Sequence, residues 1–170
     1  LAATEYTRLV DQLRTLDDDD WSRPTDCTLW DVRSVAGHSV GMMADLASLR
    51  TMMRRMWAAT KAAKASGQPM VDEMSAQQVE AVAPLTTAEL IAAAERHASQ
   101  AARWRTQAAR PLRAMPMKQD VGGRPETWRM GYLLDVILTR DPWMHRVDIA
   151  HATGRAPAHT ADHDGRIVAD

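Results

Sequence analysis

The chain has 170 residues, with 21 Lys and Arg against 22 Asp and Glu, 6 His, 1 Cys, 11 Met, 6 Trp and no Phe. That length suits one domain and buries roughly two-thirds of the unfolded surface, so neither disulfides nor a structural metal are needed for folding. A single cysteine excludes an intrachain disulfide, and a formal charge of -1 gives no general pull towards nucleic acid or an anionic membrane.

No apolar run approaches the roughly 20 residues that span a bilayer, and no signal peptide stands at the front, so the expected location is cytoplasmic. The first residue is Leu1 and not Met, which leads to the expectation of a processed or trimmed N-terminus. Ala dominates and β-branched residues are sparse, so helix is the default. The first predicted helix covers Ala3 to Leu16, with Tyr6, Leu9, Val10, Leu13 and Leu16 at helical spacing, and stops at the acidic run Asp17 to Asp20. The second starts near Thr28, where Thr28 and Asp31 resemble a capping box. Val32, Val35, Ser39, Met42, Leu46, Leu49, Met53 and Met56 then form a seam with alternating steps of three and four.

The stretch from Lys61 to Leu85, with Gly67, Pro69 and Pro84, reads as a long crossover holding at most a short helix around Ser75 to Val82. A third helix is predicted from Thr86, with Glu89 completing a capping box, to about Ala109. After the turn signals Gly122, Gly123 and Pro125, a fourth runs from near Thr127 to Gly154, a C-cap glycine. The expected fold is thus all-α: a four-helix bundle over residues 1–154 with a long crossover between helices 2 and 3. Residues 155–170 form a Pro/His/Asp-rich tail whose end, Arg166 to Asp170, reads as the start of a further segment.

Asp141 and His145, four apart, share one face of the fourth helix and continue the line of Leu134 and Leu138 into the expected core. Buried charges need partners or a metal. His38, roughly 40 to 60 degrees from the Val35/Met42 seam by the 3.6-residue period, can turn inward as the third member. Two imidazoles and a carboxylate make a divalent-metal site with an open position, favouring zinc and also suiting Fe2+ or Ni2+. From spacing alone the signal is weak, since helices carry such pairs as exposed contacts and a single His38 fits a hydrogen-bonded core histidine. Asp148 reads either as an acceptor behind a ligating imidazole or as a partner for Arg146 or Arg155. Pro142, inside the fourth helix, predicts a kink. Cys27 reads as a small structural cysteine, the Asp17 to Asp20 run as a solvated helix end, and His151, His159 and His163 as surface histidines. The set Met42, Met43, Met52, Met53 and Met56 reads as adaptable core, with a pocket lining or a homodimer interface as the alternative.

Two segments carry a family resemblance. Trp21-Ser22-Arg23-Pro24-Thr25-Asp26-Cys27-Thr28-Leu29-Trp30-Asp31-Val32-Arg33 followed by His38, and Thr139-Arg140-Asp141-Pro142-Trp143-Met144-His145-Arg146-Val147-Asp148-Ile149-Ala150 closing on Ala152-Thr153-Gly154-Arg155, resemble the mycothiol-dependent maleylpyruvate isomerase type of the DinB-like superfamily. The resemblance implies a DinB-like four-helix bundle with a divalent metal, usually zinc, held at the positions of His38, Asp141 and His145. Members often carry Glu or His where Asp141 stands, and Asp reaches about one methylene less far. The implied chemistry is a metal-held low-molecular-weight thiol, mycothiol or similar, that acts on a small-molecule electrophile by cis–trans isomerisation or S-transfer. The thiol cofactor and not a side chain would be the nucleophile, and part of its contact would come from a C-terminal region beyond this sequence. The rival reading is a non-catalytic metal-binding bundle acting as an interaction or stress-response module.

Overall fold

The computed structural model describes residues 1–121 and 123–169, so Gly122 and Asp170 lie outside it. Helix α1 (Ala2–Leu13) turns Tyr6, Leu9, Val10 and Leu13 inward, as their spacing predicts. A 3-10 turn (Asp18–Ser22) follows. Asp20 is buried there and bound by Arg155 Nε at 2.9 Å, so the acidic run is more than a solvated helix end.

Helix α2 (Val32–Ala47) starts at Asp31, whose carboxylate accepts from Ser34 N at 2.8 Å; Thr28 lies outside it. The helix ends at Ser48, which has extended dihedrals (φ -144, ψ 106) and caps α3 (Leu49–Ser66) by accepting from Thr51 N. The seam expected to run on to Met56 therefore breaks, and Leu49, Met53 and Met56 are exposed. Buried Asp45 shows what the break permits. It accepts from Arg55 Nε at 2.7 Å and Gln78 Nε2 at 2.8 Å, whereas a straight helix would carry Arg55 about 15 Å beyond it.

Gly67, in the left-handed region at φ 75, turns the chain into α4 (Met70–Val82). The expected polar crossover is thus a helical hairpin, built because the Ala-rich run from Ala58 continues α3 to Ser66. Helix α5 (Thr87–Gln107) carries the expected capping box between Thr86 and Glu89. A short α6 (Arg110–Ala114) leads to an antiparallel hairpin of β1 (Pro116–Val121) and β2 (Arg124–Arg129), in which Thr127, the expected start of helix four, pairs with Lys118. After α7 (Met130–Tyr132) and a π turn (Leu133–Ile137), α8 (Leu138–Thr153) ends on Gly154 at φ 68. Pro142 lies inside the span of α8, and a π segment stands one turn before it.

The all-α class and the DinB-like bundle of α1, α2, α5 and α8 hold, with the hairpin as the one small sheet among the described residues. Tyr6, Leu9, Val35, Val40, Met43, Leu90, Leu134 and Ile149 form its core. Among the described residues no helix is long and apolar enough to cross a membrane.

The α3–α4 hairpin lies tightly on α2. A Cβ at Gly41 would stand 2.6 Å from Gln78 Cβ and 2.9 Å from its Cα. Gly41→Ala should therefore destabilise the protein by about 1 to 3 kcal/mol, read as a lower denaturant midpoint.

Helix α9 (Asp164–Ala169) docks through a buried ionic cluster. Glu5 accepts from Arg146 Nε at 2.6 Å and lies 2.8 Å from His163 Nε2. Asp164 accepts from Arg146 at 2.8 Å, Arg8 at 2.6 Å and Trp143 Nε1 at 2.9 Å. His163 is therefore interior, against the surface position expected for it. Burial pushes the Asp164 carboxyl up, but the hydrogen bonds from Thr160 N, Trp143 and Arg8 and the charge of Arg146 hold it well below the usual range. A depressed acid stabilises the fold above its unfolded pKa, about 3.9, and loses that contribution as pH falls through the folded value. Wild type should therefore melt above Asp164→Asn at pH 7, and the gap should narrow steadily below about pH 4.

Candidate metal centre

His38 comes from the second turn of α2, and Asp141 and His145 from one face of α8, which lies against α2. The structure brings together all three residues singled out from the sequence. His38 Nε2 is 3.4 Å from each oxygen of Asp141, and His145 Nε2 is 3.7 Å from Asp141 Oδ1. One donor atom from each lies within 4.8 Å of the others. The two imidazoles meet edge to face, 5.1 Å between centroids. Both are buried, while the Asp141 side chain keeps 30% of its surface open.

His145 Nδ1 lies 3.0 Å from Asp148 Oδ2. With its proton on Nδ1 pointing to that carboxylate, the ring presents Nε2 as a lone pair towards Asp141 and His38. Asp148 thus takes the role of acceptor behind the imidazole. Arg146 and Arg155, its alternative partners, bind elsewhere: Arg146 to Glu5 and Asp164, Arg155 to Asp17 and Asp20.

Two buried atoms of the cluster, Asp141 Oδ2 and His38 Nδ1, make no hydrogen bond. Burial pushes the Asp141 carboxyl up, but the hydrogen bond from His38 and the charge of both imidazoles bring it below its ordinary value. Burial pushes His145 down, but the Asp148 hydrogen bond and the charges of Asp141 and Asp148 raise it overall. Each shift favours the charged form of its own group, the carboxylate of Asp141 and the imidazolium of His145.

The loop before α2 roofs this cluster. It is closed by the Pro24–Asp31 bridge and by Thr25 Oγ1 donating to Trp30 O at 2.8 Å. Trp30 lies 5.1 Å from the His38 ring and 6.2 Å from that of His145. Its role had one sequence signal, its place in the first resembling segment. Cys27 Sγ sits 3.5 Å from Asp148 Oδ2, and Cys27, His145 and Asp148 form a second group of potential ligands. The tail histidines do not join either group among the described residues; His151 pairs with Asp26 at 2.9 Å.

Residues 2–150 match the model of the mycothiol maleylpyruvate isomerase N-terminal domain family. The chain belongs to this family. No curated protein and no solved structure gives a match. The match takes in α1 to the last turns of α8, including every residue of the cluster, and ends before α9.

Cys27 has the wrong chemistry for a nucleophile: burial first, then the charge and hydrogen bond of Asp148, push its thiol up to about 11. Alkylation of Cys27 by iodoacetamide at pH 7.5 should run well below the rate of a free thiol, and Asp148→Asn should speed it. Alkylation of wild type at the free-thiol rate would contradict this placement.

Proposed function

We propose that His38, Asp141 and His145 hold a divalent metal ion, zinc by preference, and that the protein is a mycothiol-dependent isomerase or S-transferase acting on a small electrophile. The observation that carries the reading is the convergence of two imidazole Nε2 atoms on a carboxylate that has one oxygen without a hydrogen bond. The donor set fits the ion: two nitrogens and an oxygen are borderline-to-hard ligands, and three protein ligands leave a position open. Bound there, a metal supplies Lewis acidity that keeps a thiol as thiolate near neutral pH, able to add to an activated double bond or displace a leaving group.

The chain's own residues set the conditions for that chemistry. Asp148 fixes the His145 tautomer and ring plane. Trp30 covers the imidazoles and limits water on that side, while Asp141 is the most exposed of the three. The thiol of Cys27, pushed up by burial and by Asp148, faces that carboxylate. Family membership supports mycothiol as that thiol. Nickel or ferrous iron would suit the same donors and is separated from zinc by metal analysis. The cytoplasm, where low-molecular-weight thiols are kept reduced, is the compartment this chemistry needs.

The test is metal analysis of purified protein followed by zinc and then mycothiol titration. Wild type should take up one zinc per chain, and the loaded protein should bind mycothiol. His38→Ala, Asp141→Ala and His145→Ala should each abolish tight zinc binding, and Asp148→Asn should weaken it about 10- to 100-fold. Protein that stays metal-free after zinc addition would sink the reading, and zinc binding without any mycothiol response would favour a structural metal in a non-catalytic bundle.

A further inference from the structure

Helix α8 reaches the cluster through two breaks in its own hydrogen bonding. In the π turn before it, Leu138 N reaches back five residues to Leu133 O. Pro142 has no N–H, so Leu138 O lacks the donor a regular helix would give it. These breaks leave interior carbonyls to be satisfied from outside the helix.

One side chain meets them. Arg105, on α5, is 3% exposed and has no carboxylate partner among the described residues. Its Nη1 donates to Leu138 O at 3.1 Å and to Tyr6 Oη at 2.7 Å. Its Nη2 donates to Leu134 O, to Asp135 O at 3.4 Å and to Thr139 Oγ1 at 2.5 Å. Tyr6 adds a donor to Leu138 O at 3.4 Å, and its ring lies 5.7 Å from the guanidinium carbon. A buried cation is costly, and here carbonyl dipoles and an aromatic face replace the usual counter-ion.

We propose that Arg105 is a positioning residue for the metal centre, acting through the backbone of Leu134 to Thr139 to set the register in which α8 presents Asp141 and His145 to His38. A π turn accommodates one extra residue, so gaining or losing it turns everything beyond by about 100° relative to what precedes it. Asp141 lies three residues after Leu138 and immediately before Pro142, where such a shift moves it most directly against α2. Arginine is suited to the task because a planar fork can serve several carbonyls at once, which a lysine cannot. This inference rests on the metal reading above.

The experiment uses Co2+ as the probe, whose visible absorption reports ligand geometry, on full-length wild type, Arg105→Met, Arg105→Lys and Leu90→Ala. Leu90 is a core residue of the same helix outside the hydrogen-bond network of Arg105 and supplies a control for lost stability alone. Arg105→Met should bind Co2+ at least about tenfold more weakly and with an altered visible band, Arg105→Lys should fall between it and wild type, and Leu90→Ala should melt lower yet keep wild-type affinity and spectrum. If Arg105→Met does not fold, Arg105→Lys carries the comparison. Wild-type affinity and spectrum in a folded Arg105 variant, while His38→Ala loses Co2+, would overturn the positioning role and leave the metal reading intact. Failure of wild type itself to bind Co2+ or zinc would overturn both.

Discussion

Helix α8 brings Asp141, His145, Arg146 and Asp148 into the protein within two turns, and a charged side chain can be buried only where a partner meets it. Much of the structure answers that constraint. Glu5 of α1 and Asp164 of α9 take Arg146. His38 of α2 takes Asp141, Asp148 takes His145, and Arg105 of α5 takes the carbonyls that the π turn and Pro142 leave open. Each helix of the bundle thus supplies at least one polar group to α8. These pairings add directional constraints on the rotation of α8 to those of core packing.

The same constraint divides α8 into two sides with different uses. Towards α1 and α9, every charge has an opposite charge at hydrogen-bond distance, and the result is a closed ionic clamp. Towards α2, the balance is incomplete: a carboxylate oxygen and an imidazole nitrogen are buried without hydrogen bonds, one edge of Asp141 is open, and Trp30 covers the rings. Satisfied networks hold a fold together, whereas unsatisfied atoms in a partly exposed cluster point to a ligand. Cys27 belongs with the first kind, its thiol tied to Asp148 and held protonated.

How far the sequence disclosed this depends on whether the deciding interactions are local. The capping box of Thr86 and Glu89 and the C-cap at Gly154 are set by neighbours three or four residues away, and both stand where the pattern puts them. For His38, Asp141 and His145 the spacing, an i,i+4 pair and a histidine near another inward stripe, is a weak signal, and the two resembling segments are what single them out. The break at Ser48 was hidden because Leu49, Met53 and Met56 keep the spacing of the seam after the chain has turned away; the cause is Asp45 meeting Arg55 and Gln78, a contact between separate elements. The stretch from Lys61 to Leu85 reads as crossover because it is polar and punctuated by Gly67, Pro69 and Pro84, and its alanines favour helix without giving an amphipathic stripe. Strand β2 is almost wholly exposed and so has no buried alternation to show, and the π turn depends on Arg105, 29 residues from Leu134.

The most direct test of the metal centre is X-ray absorption at the zinc edge of the protein loaded with one equivalent of zinc, without added thiol. The account predicts a first shell of nitrogen and oxygen at about 2.0 to 2.2 Å, with the multiple-scattering signature of two imidazoles and no sulfur. A sulfur at about 2.3 Å, which only Cys27 or a methionine could supply, or a shell without imidazole, would contradict it.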